Sequence, residues 1–122
     1  MDEIRLGVVE SKFADLIWQN EPVTTAELVK LCTERLNWKR TTTYTVLKRL
    51  CERGMFQMEN SVVTSLISRR EFDSMQSEKF VKDAFDGSLP AFIAAFTAHK
   101  SLTEEEIAEI KRMIDSCGKE ER

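Results

Sequence analysis

A chain of 122 residues, 42% hydrophobic and 32% charged, is long enough for one domain or two small ones and has the composition of a soluble protein. One histidine and three scattered cysteines, with no Cys-x-x-Cys pair, argue against a zinc or copper site and give no metal or cofactor to expect. There is no Gly-rich phosphate loop and no Ser/Cys–His arrangement with credible spacing, so an enzyme is not expected. The net charge of -3 is unevenly spread: residues 1–70 hold 11 Lys/Arg and 9 Asp/Glu, whereas residues 71–122 hold 7 and 12. Residues 35–53 hold six basic residues and one acid, so a basic segment precedes an acidic element. The N-terminus has acids and no apolar run, which excludes a signal peptide. The apolar run from Ala91 to Phe96 is far shorter than the about 20 residues needed to cross a bilayer. The chain therefore reads as cytoplasmic and reduced, without a membrane partner, and with Cys32 and Cys51 as buried thiols.

In chain order, residues 1–7 are expected to fray. A helix follows over 8–19 with Val9, Phe13, Leu16 and Ile17 on its inner face, and Asn20-Glu21-Pro22 ends it. Thr24 and Glu27 form a capping box that opens a second helix over 25–35, with Leu28, Leu31 and Cys32 inward. The stretch Trp38–Gly54 reads as a third helix with two unlike faces. Thr43, Val46, Leu47 and Leu50 share one apolar stripe. Thr41, Thr45 and Lys48 lie opposite, with Thr42 and Arg49 on one flank and Tyr44 on the other. Gly54 supplies the stop. The period then changes to two. Met55–Glu59 and Val62–Ile67 are strand candidates joined by Asn60-Ser61, in a register pairing Met58 with Val63 and Gln57 with Thr64.

Ser68 and Glu71 form a second capping box, opening a helix to Phe85 that Asp86-Gly87 ends. Ser88 caps a fifth helix to about Ala98, with Pro90 in its first turn. Thr103 and Glu106 form a third box, before a helix that Gly118 closes. The fold class expected is mainly α with a small β-hairpin: a winged helix-turn-helix DNA-binding domain over 1–68, then a three-helix dimerisation element over 69–122. Phe72, Phe80, Leu89, Phe92, Ile93, Phe96, Ile107, Ile110 and Ile114 are the expected dimerisation residues, because some fifty residues make a marginal core alone.

The third helix carries the expected chemistry. Short hydroxyl side chains can sit close to base edges, and long cations can reach the phosphates on either side. Lys39, Arg40 and Lys48 are expected at phosphates, and Thr42, Thr45 and Arg49 at bases, with Thr41 and Tyr44 on the same exposed surface. The competing readings are a solvated helix face, and a winged-helix protein-interaction module without specific DNA binding, which the acidic total and the short hairpin without basic residues favour.

These residues resemble those of the penicillinase-repressor and methicillin-resistance-repressor family, which also includes copper-responsive repressors. The resemblance runs through Leu16-Ile17-Trp18, Pro22-Val23-Thr24, Trp38, Thr42, Thr45, Leu47-Lys48-Arg49-Leu50 and Gly54. It continues in Leu66-Ile67-Ser68, Glu71-Phe72, Phe85-Asp86-Gly87-Ser88-Leu89 and Leu102-Thr103-Glu104-Glu105-Glu106-Ile107. It implies a dimeric winged-helix repressor of a palindromic double-stranded operator, with Thr42, Thr45 and Arg49 facing the DNA and Thr24 near a phosphate. It also implies relief of repression by a sensor-linked protease, at a bond that aligns with Ala95–Phe96. The chain departs from the family in three places. Asn60-Ser61 replaces a longer, basic wing tip; lone Cys117 cannot reproduce the copper-binding cysteine cluster; and Ala95 stands where the cleaved proteins carry Asn.

Overall fold

Residues 6–119 are described by a computed structural model of the chain. Of the segment expected to fray, residues 1–5 lie outside the described residues, and Gly7 is the N-cap of the first helix. Among the described residues there are six helices and three strands. The chain divides into two compact units, the first ending at Met75 and the second beginning at Gln76.

Helix α1 (Val8–Asn20) buries Phe13, Ala14, Leu16 and Ile17. Val9, expected inward, is 50% exposed: it follows the right period, but the first turn of α1 is left uncovered. Strand β1 (Val23–Thr24) comes next and was not expected. Two residues are too few to display a period, and only pairing with a distant strand makes them β. The Thr24–Glu27 box opens α2 (Thr25–Leu36), with Glu27 N–H donating to Thr24 Oγ1 and Thr24 N–H donating to Glu27 Oε1, both at 3.1 Å. Asn37 ends α2 in the left-handed region at φ 58°. Helix α3 (Arg40–Glu52) buries the expected stripe of Thr43, Val46, Leu47 and Leu50. Gly54, at φ 84°, turns the chain out of it.

Strands β2 (Phe56–Glu59) and β3 (Val62–Ser65) form the hairpin with the expected register, Met58 opposite Val63 and Gln57 opposite Thr64. Asn60 and Ser61 both adopt positive φ, 53° and 62°, which matches a two-residue hairpin turn to the twist of its strands. The sheet order is β1-β3-β2, so β3 is central, and Val63 pairs with Val23 on its other side. Leu66 and Ile67 fall outside β3; their N–H groups both donate to the Met55 carbonyl, at 2.8 and 3.3 Å.

The core of the first unit lies between the three helices and this sheet. Phe13 stacks on Trp38 with centroids 5.3 Å apart. Trp18 lies between Phe56 and Phe72, at 5.5 and 5.6 Å, and its indole N–H donates to the Ile67 carbonyl at 3.0 Å. Helix α4 (Arg69–Phe85) starts at the Ser68–Glu71 box. Its Phe72 is 9% exposed. Phe72 was expected among the dimerising residues, but it packs on Trp18 in the winged core, because the first turn of α4 also carries Arg69, which pairs with Asp15 and lies over Trp18. The first unit therefore extends past Ser68 to Met75.

The second unit comprises the rest of α4, then α5 (Leu89–Thr97) and α6 (Glu104–Lys119). Asp86 and Gly87, at φ 54° and 82°, end α4. Ser88 Oγ accepts from Ala91 N–H and caps α5, and Thr103 with Glu106 boxes the start of α6. Helix α6 runs through Gly118 rather than stopping there. Phe80, Phe85 and Phe92 meet edge to face, with centroids 5.5–6.0 Å apart. No described residue of this unit is buried. Leu89, Ile93, Phe96 and Ile107 are exposed, as are Phe80 at 54% and Ile114 at 61%, whereas Phe92 and Ile110 are half-covered.

Candidate nucleic-acid interface

Burial of Thr43, Val46, Leu47 and Leu50 fixes which side of α3 faces outward. Thr41, Thr42, Thr45 and Lys48 are exposed, as are Lys39 and Arg40 at the N-terminal end of the helix. Thr45 Oγ1 donates to the Thr41 carbonyl at 2.9 Å. That bond uses the hydroxyl's proton and leaves the oxygen's lone pairs free to accept.

Each flank of α3 is tied to a neighbouring helix. On one side, Arg49 Nη1 lies 2.6 Å from Glu10 Oε2 of α1. The Glu10 carboxyl is held below the ordinary carboxylate range, first by the Gly7 N–H that donates to its Oε1 at 3.2 Å, then by the Arg49 guanidinium. On the other side, the Tyr44 phenol is held below its ordinary pKa first by the nearby Thr25 hydroxyl at the start of α2 and then by the Arg40 charge. The Arg40 guanidinium lies 5.6 Å from the centre of the Tyr44 ring. Lys48 and the hydroxyl face thus stand on a helix braced on both sides. Arg49, expected at bases, has a carboxylate partner, and Tyr44 is half-buried.

Thr24 is exposed in β1, and its N–H and hydroxyl are both turned to Glu27. What it offers an anion is therefore the end of α2 rather than its own side chain. In the hairpin, Gln57 Nε2 donates to Thr64 Oγ1 at 3.3 Å across the strands. No Lys or Arg lies between Gly54 and Ser68. Glu21 clamps the base of the hairpin, with Oε1 accepting from Ser65 N–H at 2.7 Å and Oε2 from the Ser65 hydroxyl at 2.9 Å. The sequence reading missed Glu10, Glu21 and Thr25. Their partners lie far along the chain, and no local spacing signals them. Among the described residues no group of His, Cys, Asp and Glu could hold a metal ion, and no helix is long and apolar enough to cross a membrane.

Three helices with a short strand between the first two, then a tight hairpin that completes a three-stranded sheet, with an outward third helix, define a winged helix-turn-helix protein. The comparison with known families is specific: residues 6–116 match the family model for penicillinase repressors, and the chain belongs to that family, whose members are transcription regulators and not enzymes. A penicillinase repressor of Bacillus licheniformis is 24% identical over 115 residues, which cover 91% of this chain and 90% of that protein.

Proposed function

We propose that the chain is a dimeric repressor that binds a palindromic operator through α3 and dimerises through the second unit. The observation that carries this reading is the braced α3, whose exposed side bears Thr41, Thr42, Thr45 and Lys48 while its other side is core. In this reading Lys39, Arg40 and Lys48 neutralise phosphates, and Thr42 and Thr45 meet base edges. The exposed apolar side chains of α5 and α6 supply the dimer contact, since a unit none of whose described residues is buried has little core of its own to stand on. Relief of repression by a sensor-linked protease at Ala95–Phe96 fits the exposure of both residues in α5. Cutting there would uncouple the two half-site contacts and forfeit the effective concentration that links them. The hairpin, which carries no basic residue, favours one second reading, a protein-interaction module that keeps the fold without binding DNA specifically.

Selection from a random duplex pool by the full-length chain separates the two readings. The repressor reading expects enrichment of an inverted repeat with half-sites about one helical turn, or a multiple of it, apart. A pool that stays random after repeated rounds overturns it.

A further inference from the structure

The Glu10–Arg49 pair joins residues on different helices, and it occupies the one cation of α3 placed on the same flank as Thr42. Arg49 lies about two turns beyond Thr42 on that flank, within reach of a groove that the hydroxyl face would enter. Its guanidinium is turned instead to α1, 2.6 Å from Glu10 Oε2. Glu10 is itself anchored, because its other oxygen accepts the Gly7 N–H at the start of α1. The side chain of Glu10 is 21% exposed, against 52% for Arg49. The carboxylate is thus the fixed partner, and the guanidinium the one with room to move.

We propose that Glu10 is a positioning residue for DNA readout: it holds Arg49 against α1 and away from the DNA, so that the hydroxyl face of α3 does the reading. The proposal rests on the repressor reading above. A freed arginine adds a sequence-independent phosphate contact, which raises affinity for every duplex alike and dilutes the preference for the operator. Glu10 therefore serves discrimination by withholding a cation. A charge-assisted bond of this length, on an anchored carboxylate, has the geometry to hold Arg49 in competition with solvent.

The test uses the full-length chain, its selected operator, and a random-sequence duplex of equal length, each titrated at several salt concentrations. Glu10→Ala should steepen the dependence of log K on log salt by about 0.9 for both duplexes, and lower the ratio of operator to random affinity severalfold. Glu10→Gln, which retains an acceptor for the Gly7 N–H, should move both readouts the same way and serves if the alanine variant fails to fold. Adding Arg49→Ala to either variant should cancel the steeper slope, which neither a structural defect nor the mere loss of a repelling charge would do. The proposal is overturned if the slope gain persists in the double variants. It is equally overturned if Arg49→Ala alone lowers the slope by that amount while both Glu10 variants leave it unchanged. In those two cases operator binding by the unaltered chain still stands. If the unaltered chain binds neither duplex, the repressor reading and this proposal fall together.

Discussion

At the scale of single residues, the proposed function divides the face of α3 into side chains that would sense sequence and side chains that would sense charge. Thr45 is exposed, and its hydroxyl is oriented by the Thr41 carbonyl. Thr45→Ala should cost about 1–3 kcal/mol against one cognate base pair and little against the alternatives there. Lys48→Ala should instead weaken all duplexes alike and reduce the salt slope by about one. Operator and random-duplex titrations of the two variants check this, and identical behaviour of both would contradict the division. Thr41, Thr42, Thr45 and Lys48 were legible as one surface because helical spacing alone sets them opposite the stripe of Thr43, Val46, Leu47 and Leu50. The partner of Arg49 was not legible. Glu10 is 39 residues away, and its position beside α3 follows from how α1 packs, which no local pattern encodes.

At the scale of elements, the capping boxes at Thr24, Ser68 and Thr103 and the stops at Gly54 and Gly87 were readable, because each is a bond or backbone conformation within four residues. The hairpin register was equally readable, since period-two patterning and Asn60-Ser61 fix it together. Strand β1 was not, for Val23 and Thr24 become β only by pairing with Val63 and Val62. Phe72 shows how a single-helix pattern leaves a side chain's partner open. On a helical wheel it shares the apolar character of Phe80, but the first turn of α4 belongs to the winged unit, where Trp18 receives it. Phe72→Ala should accordingly destabilise the winged unit by about 3 kcal/mol, the low end for a large aromatic truncated in a core. Urea unfolding followed by tryptophan fluorescence would register it through Trp18. An unchanged midpoint, together with a weakened dimer, would return Phe72 to the dimerising set.

At the scale of the whole molecule, the two units differ in how they bury apolar surface. The first has fully buried side chains in Phe13, Ile17, Leu28, Leu50, Phe56 and Val63. The second leaves Phe80, Leu89, Ile93, Phe96, Ile107 and Ile114 exposed, and large apolar side chains left in water in such number mark a surface suited to a partner. Under the proposed function a second copy of the chain is the occupant, since a twofold operator would take two chains related by symmetry. The most direct measurement is sedimentation of the full-length chain, alone and with a duplex bearing one copy of the selected inverted repeat. The account predicts a dimer at micromolar concentration, and a complex of two chains per duplex that salt dissociates. A chain that sediments as a monomer, or apart from the duplex at low salt, would contradict it.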